Sequence, residues 1–211
     1  MVPDQSRHLD CCAVILSGGL NTRMSGHNKA FLEIGGRTIL DRLLESLRLA
    51  FREILIVTRQ PELYAGQDLR VVKDIYPDRS SLTGIHAGLV NAAAPFAFVV
   101  PCDTPFLQQG IIRLLLNELE SELDVAVPFY DGHYQPLCAI YSRRCIPAIE
   151  AQLDRDDYKI TNLFGGMNVR IVADEKIKAA DPELLSFLNV NTPAALVVCQ
   201  GLAAAISNKK E

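Results

Sequence analysis

The chain has 211 residues, 49% of them hydrophobic and 22% charged, with 13 Gly, 11 Pro and no Trp. That is ordinary globular composition, and a chain of this length buries roughly 70% of its extended surface without disulfide or metal staples, so one domain spanning 1–211 is expected. The formal charge of -4, from 21 basic and 25 acidic residues, excludes a basic footprint for nucleic acid or a membrane surface.

The start, Met1 to Asp10, carries Asp4, Arg7, His8 and Asp10 where a secretory signal needs a continuous apolar segment, so a cytoplasmic location is expected. The apolar stretch Ala194 to Ile206, interrupted by Gln200 and Gly201, falls short of the roughly 20 residues that a bilayer span requires. Cys11, Cys12, Cys102, Cys138, Cys145 and Cys199 lie mostly inside apolar runs and include no CxxC pair, while His8, His27, His86 and His133 are scattered. Reduced core thiols and no zinc site are expected.

Along the chain, strand-length apolar runs alternate with stretches of helical period, the pattern of an α/β domain with a largely parallel sheet. Cys12 to Leu16 is the first strand, apolar throughout as a strand covered on both faces must be. A polar, glycine-containing loop follows from Ser17 to Lys29. Thr38 and Asp41 form a capping-box pattern ahead of a helix whose buried face is Ile39, Leu40, Leu43, Leu44 and Leu47. Ile54 to Val57 and Arg70 to Val72 read as strands separated by a turn at Pro61, Ser81 to Ala93 as a helix, and Phe96 to Val100 as a buried strand. That strand stops at Pro101-Cys102-Asp103-Thr104-Pro105, where two prolines prevent continuation.

In the second half, Ile111 to Leu119 reads as a helix and Asp124 to Val127 as a strand. Gln135 to Tyr141, following the Asp131-Gly132 turn, reads as a strand in antiparallel pairing. Ile146 to Leu153 is a helix, Asn168 to Val172 a strand and Pro182 to Phe187 a short helix. Thr192-Pro193 opens a final helix through Ile206, with residues 1–11 and 207–211 expected to fray.

Two segments carry chemistry. The run Leu16-Ser17-Gly18-Gly19 to Lys29 follows the first strand, at the edge where open α/β sheets bind ligands. Gly18 and Gly19 let backbone amides approach a phosphate, and Arg23 and Lys29 supply cations to the same anion; the alternative is an ordinary βα loop with solvated cations. Asp103 stands at the end of a buried strand on the same edge and is a hard oxygen ligand suited to Mg2+ shared with substrate phosphates, unless it serves only as a turn former. Asp74 reaches that edge after its own strand, with a capping role as the alternative.

Taken in order, these segments resemble the molybdenum cofactor guanylyltransferases. The resemblance runs from about Ala13 to Leu196 and rests on Leu16-Ser17-Gly18-Gly19, Arg23-Met24, Lys29, the Asp74 strand, Leu82-Thr83-Gly84 with Ala87-Gly88-Leu89, Pro101-Cys102-Asp103-Thr104-Pro105, and Asn189-Val190-Asn191-Thr192-Pro193. It implies a Rossmann-like, three-layer nucleotidyltransferase of the glycosyltransferase A type, its mostly parallel sheet including an antiparallel strand. The implied reaction moves GMP from GTP onto molybdopterin with release of pyrophosphate. Carried over by position, Leu16, Ser17, Gly18 and Gly19 would contact the nucleotide, Lys29 its phosphates, Asp74 the nucleoside, and Asp103 both nucleotide and Mg2+. Arg23 would clamp a second phosphate, and Asn189 and Asn191 would face the molybdopterin or shape the turn into the last helix. The product's recipients would be molybdoenzymes or other cofactor-biosynthesis proteins.

The chain departs from the family pattern at three points. Arg-Met-Gly-x-Asp-Lys reads Arg23-Met24-Ser25-Gly26-His27-Asn28-Lys29, Pro-Gly-x-Gly-Pro-Leu reads Pro77-Asp78-Arg79-Ser80-Ser81-Leu82, and Val57-Thr58-Arg59 lacks a frequent Asn. Two other readings stay open at this level: a related transferase using CTP or acting on a sugar phosphate, and a non-catalytic nucleotide- or cofactor-binding adaptor. His133 beside Tyr134, and Arg143-Arg144, read as solvated surface residues.

Overall fold

β1 (Cys11–Ser17) is apolar because both its faces are covered: Cys11, Ala13 and Ile15 enter one core, Cys12 and Val14 the other. In the computed structural model, which describes residues 11–18, 28–77 and 80–208, β1 lies inside a sheet with β4 (Ile54–Thr58) and β6 (Phe96–Pro101) as its parallel neighbours. Beyond β4 lies β5 (Arg70–Lys73), also parallel. On the other side β6 pairs antiparallel with β9 (Ala139–Ser142), which pairs antiparallel with β7 (Val125–Tyr130), and β10 (Val169–Val172) runs parallel to β7 at the edge. The order is β10-β7-β9-β6-β1-β4-β5, with only β9 reversed along this path. This is the expected mostly parallel α/β sheet.

Helices cover both faces. α1 (Ile39–Arg48) and α3 (Gln109–Asn117) pack Leu40, Leu43, Leu47, Ile111 and Leu115 on the side of Ile15 and Phe98. α2 (Ser81–Asn91) and α4 (Ile146–Leu153) pack Leu82, Ile85, Leu89 and Ile149 on the side of Val14 and Tyr141. The N-terminus of α1 is held as its sequence requires: Thr38 Oγ1 accepts the Asp41 amide at 3.0 Å and donates to its carboxylate at 2.6 Å. α2 lies unusually close to β1. A Cβ on Gly88 would stand 2.6 Å from Val14 and one on Gly84 3.2 Å from Leu16, so two small residues one helical turn apart set the depth at which the helix seats.

Several elements differ from the sequence reading. β2 (Glu33–Ile34) and β3 (Arg37–Thr38) form a hairpin over Gly35 and Gly36, both at positive φ, in strands too short to show a period. The Asp131-Gly132 turn closes a hairpin between β7 and a short β8 (His133–Tyr134) that the sequence reading did not separate; the strand read over Gln135 to Tyr141 is β9, antiparallel as expected. β9 starts at Ala139, because Gln135 to Cys138 is a turn closed by Cys138 N–H donating to Gln135 O at 3.0 Å, with Pro136 inside it.

The helix expected over Pro182 to Phe187 is instead a single 3-10 turn, Leu185–Phe187, whose amides at Leu185 and Ser186 are accepted by the buried Asp181 carboxylate at 3.1 and 2.8 Å. A full helix precedes it, α5 (Asp174–Ala180), with Asp174 and Glu175 in its first turn. α6 (Pro193–Asn208) begins with Pro at its first position, as expected, and continues into the tail that was expected to fray; β1 likewise begins at Cys11. The remaining segments expected to fray, 1–10 and 209–211, lie outside the described residues. Among the described residues no helix is long and apolar enough to cross a membrane.

Gly110, in the first turn of α3, faces the backbone of α5: a Cβ there would fall 2.1 Å from the Ala180 carbonyl oxygen. Main chain cannot rotate away as a side-chain tip can, so Gly110→Ala is expected to destabilise the fold by about 1–3 kcal/mol, read as a lower midpoint in urea denaturation with unchanged slope. A midpoint equal to that of the parent would mean that α3 and α5 shift apart freely.

Candidate active site

The carboxyl ends of β1, β4, β5 and β6 open into one cleft of about 340 Å³. Leu16 and Gly18 line it from β1, Val57 and Thr58 from β4, Asp74 from the end of β5, and Cys102 and Asp103 from the turn after β6. Lys29, Leu137, Asn189 and Asn191 border the same space. Five of the residues singled out in the sequence for the nucleotide and its metal, Leu16, Gly18, Lys29, Asp74 and Asp103, thus meet in one cleft together with the two asparagines.

The centre of the cleft is Lys29. Its ammonium donates to Asp103 Oδ2 at 2.9 Å and to Asn191 Oδ1. An ammonium has three N–H groups, so one is left for a further acceptor. Both side chains of the ion pair are largely enclosed, Lys29 16% and Asp103 12% exposed, so bulk water screens the pair less than it would a surface one. The other carboxylate oxygen, Asp103 Oδ1, is buried with no hydrogen-bond partner among the described residues. A buried carboxylate oxygen left bare is costly, which suits this one to an incoming cation or proton donor.

The asparagines explain how Asp103 is held. Val190 N–H donates to the Asp103 carbonyl at 2.9 Å, and Thr104 Oγ1 donates to Asn189 Oδ1 at 2.9 Å. The Asn189-Val190-Asn191 segment therefore clips onto the turn after β6 by main chain and side chain together, and Asn191 reaches on to Lys29. Thr192 Oγ1 then accepts the Ala195 amide at 3.2 Å and starts α6. These asparagines do shape the turn, and in doing so they also line the cleft.

Asp74 is the most fully satisfied of the cleft carboxylates. Its Oδ2 accepts from Thr83 Oγ1 at 2.8 Å and lies 3.7 Å from the Arg59 guanidinium, while Oδ1 accepts the Tyr76 amide at 3.2 Å. It ties the end of β5 to the first turn of α2, whose cap Ser80 accepts the Thr83 amide at 3.1 Å. The capping alternative is thus realised at a residue that also faces the cleft.

The Ser17 side chain is directed away from the cleft. Successive strand residues alternate in direction, so with Leu16 and Gly18 on the cleft the Ser17 side chain turns beneath it, where its Oγ lies 2.5 Å from the phenol oxygen of buried Tyr64. Tyr64, in the 3-10 turn Pro61–Tyr64, was not anticipated: no motif marks it, and its partners are distant in sequence. Gly19 and Arg23, with the rest of 19–27, and Asp78 and Arg79 lie outside the described residues.

All six cysteines are free thiols, Cys102 partly exposed in the cleft and the others buried. Burial pushes Cys12, Cys138 and Cys145 up to about 12 and Cys102 to about 11, in the last case against a hydrogen bond from Ser17 that pulls the other way. Among the described residues no group of three or more His, Cys, Asp or Glu is placed to hold a metal by protein ligands alone.

Open α/β sheets bind ligands at this edge, and an ammonium beside a hard carboxylate at the head of parallel strands suits the handling of a polyphosphate; the class is a nucleotidyltransferase. Residues 13–171 match the model of the MobA-like NTP transferase domain, and the chain belongs to that family. It is 39% identical to a molybdenum cofactor guanylyltransferase of Desulfosudis oleivorans over 183 residues, 87% of this chain and 91% of the relative. A protein of Pelotomaculum thermopropionicum named as a probable molybdenum cofactor guanylyltransferase is 37% identical over 195 residues, 92% of this chain and 94% of that one.

Among solved structures, the molybdopterin-guanine dinucleotide biosynthesis protein A of Archaeoglobus fulgidus aligns with a TM-score of 0.81 at 26% identity, covering 92% of this chain and 98% of the other. The 2-C-methyl-D-erythritol 4-phosphate cytidylyltransferase of Thermus thermophilus shares the fold, with a TM-score of 0.67 at 20% identity over 92% and 98% of the two chains.

The raised thiol pKa values set a labelling pattern. The thiolate fraction at pH 8 falls about tenfold per unit of upward shift, so in the native protein Cys102 is expected to react with iodoacetamide on the order of 100-fold, and Cys12, Cys138 and Cys145 on the order of 1000-fold, more slowly than an open thiol. Peptide mass spectrometry after timed labelling reads this, and rapid native alkylation of Cys102 would show it to be activated.

Proposed function

We propose that this chain transfers the GMP unit of GTP to molybdopterin and releases pyrophosphate, with Mg2+ as its divalent ion. The observation that carries the reading is the Lys29 ammonium, joined to Asp103 and Asn191 with one N–H to spare beside an Asp103 oxygen that has no partner among the described residues. The names of the relatives at 39% and 37% identity supply the substrates.

The reaction asks for alignment and charge neutralisation more than for covalent help. A phosphate oxygen of molybdopterin attacks the α-phosphorus of GTP. The new P–O bond forms as the bond to the bridging oxygen of the β-phosphate breaks, and that electron pair leaves with pyrophosphate. The nucleophile is already an anion, so no side chain need act as general base. Lys29 holds the departing phosphates through its remaining N–H, where charge grows as the bond breaks. Arg23 clamps a second phosphate.

Asp103 Oδ1 is a hard, buried oxygen with no partner among the described residues, the donor type that Mg2+ takes. With no protein cluster beside it among the described residues, the other ligands would be phosphate oxygens and water. Held there by Asp103, Mg2+ would supply neutralisation of the triphosphate charge. Backbone at Leu16, Ser17, Gly18 and Gly19 contacts the nucleotide, and Asp74 orients the nucleoside from its braced position. Asn189 and Asn191 have both carbonyl oxygens engaged, so their amide N–H groups remain as donors toward molybdopterin. The lost Asn near Val57-Thr58 leaves guanine to be read by backbone groups, which present a carbonyl and an amide whatever the side chain.

A site paired to guanine leaves its own polar groups unsatisfied when another base enters. GTP with Mg2+ is therefore expected to raise the melting temperature where CTP, ATP and UTP do not, the stabilisation reaching about 2.7 kcal/mol at a hundredfold excess over Kd. Equal stabilisation and turnover with CTP would transfer the chain to the cytidylyl branch with Lys29 and Asp103 in the same roles. Asp103→Asn keeps shape and removes the charge, so turnover is expected to fall by a factor of about 100 or more while the fold survives. Retained Mg2+-dependent turnover in that variant removes Asp103 from the metal site.

A further inference from the structure

Tyr64 joins both ends of the glycine loop without touching the cleft. The loop leaves β1 at Ser17 and returns at Asn28, the residue before Lys29. The Tyr64 phenol oxygen lies 2.5 Å from Ser17 Oγ, and Asn28 Nδ2 donates to that phenol at 3.1 Å and to Ser17 Oγ at 3.5 Å. The orientation of the Asn28 amide follows from its other end, since Asn28 Oδ1 accepts the Ala30 amide at 3.0 Å and so caps the 3-10 turn that carries Lys29.

This fixes the order of protons. Tyr64 is 1% exposed, and its oxygen already accepts from Asn28. If it accepted from Ser17 as well, its own proton would have no acceptor among the described residues. Tyr64 therefore donates to Ser17. A directed chain runs from Asn28 through Tyr64 to Ser17 at the end of β1, where Cys102 N–H donates to Leu16 O at 2.9 Å, so the residues that precede Lys29 and Asp103 in sequence are both tied to the same strand end. Burial keeps the phenol protonated by raising it above its ordinary value.

We propose that Tyr64 is a positioning residue of the transfer reaction: its hydroxyl clasps the two ends of the glycine loop and so holds the Lys29 ammonium in register with Asp103. The clasp also accounts for Asn28 standing where the family pattern has an acid. A carboxamide can cap Ala30 and donate to the phenol at once, and it does so without adding a negative charge beside Lys29. The inference rests on the guanylyl-transfer reading for its kinetics but not for its geometry.

The test is Tyr64→Phe, which keeps the ring and its contact with Phe31, 5.3 Å away between ring centres. Amide exchange at Ala30 is expected to speed up about tenfold as Asn28 loses its anchor. With GTP and molybdopterin, kcat is expected to fall about tenfold while the Kd for GTP stays within about twofold, because Lys29 counts most as pyrophosphate departs. Ile149→Val, buried in the core on the α4 side, controls for lost stability and is expected to leave kcat per folded molecule unchanged. Wild-type kcat in Tyr64→Phe, or a parallel loss of kcat and GTP affinity that Ile149→Val reproduces, overturns the proposal. Failure of the parent protein to use GTP overturns the guanylyl reading instead, and exchange at Ala30 then decides the clasp alone.

Discussion

A single ammonium group organises the cleft. Lys29 reaches Asp103, 74 residues further on, and Asn191, 162 residues further on, so one cation draws together three segments that the chain delivers from different directions. None of the three could hold its place by local structure alone. Lys29 sits on a three-residue 3-10 turn, Asp103 lies between two prolines, and Asn191 precedes a helix whose own cap is the next residue. The charge is buried enough to matter, and each partner spends one oxygen on it. What remains, one ammonium proton and one carboxylate oxygen, is the pair of opposite polarities that a metal-bound phosphate would complete.

The sheet makes that convergence possible by sending parallel strands to the same edge. Because β1 is covered on both faces, its tip cannot move without disturbing two cores at once, and the residues at its end inherit that rigidity. The close seat of α2 on Val14 and Leu16 adds to this, since glycine at 88 lets helix and strand approach closer than a Cβ would without a shift, and glycine at 84 relieves a tight contact with Leu16. Asp74 then locks the head of α2 to the end of β5. This side of the cleft is thus built from main chain and braced carboxylate, with little that can rotate.

Much of this was legible in the residues. The unbroken apolar run of β1, the amphipathic period from Ile39 to Leu47 and the double proline around Asp103 each have one local solution, and the structure adopts it. The misses are of another kind. The hairpin of β2 and β3 has strands of two residues, below any period, and α5 is a short polar helix whose stability comes from packing on α3 and β7. Gln135 to Cys138 has strand-like composition, but Pro136 and a closing hydrogen bond make it a turn. Tyr64 is the instructive case. Its hydroxyl matters only through Ser17 and Asn28, 47 and 36 residues earlier, and no spacing rule links those positions. Lys29 and Asp103 could be read because their chemistry is local to a motif, whereas the group that aligns them is visible only once the chain is folded.

The reversal of β9 bears on how such a cleft can change. Every other segment that reaches this edge from the central sheet is leaving a strand, and its path is dictated by the strand behind it. Leu137 arrives from the opposite sense: the turn before β9 reaches the edge on its way into the strand, anchored downstream by Ala139 opposite Val99. Insertions or substitutions between Gln135 and Cys138 therefore alter one wall of the cleft without displacing the ends of β1, β4, β5 or β6. One antiparallel strand separates the wall that can vary from the floor that cannot, so a single scaffold can hold one part of its cleft fixed while the shape of another drifts.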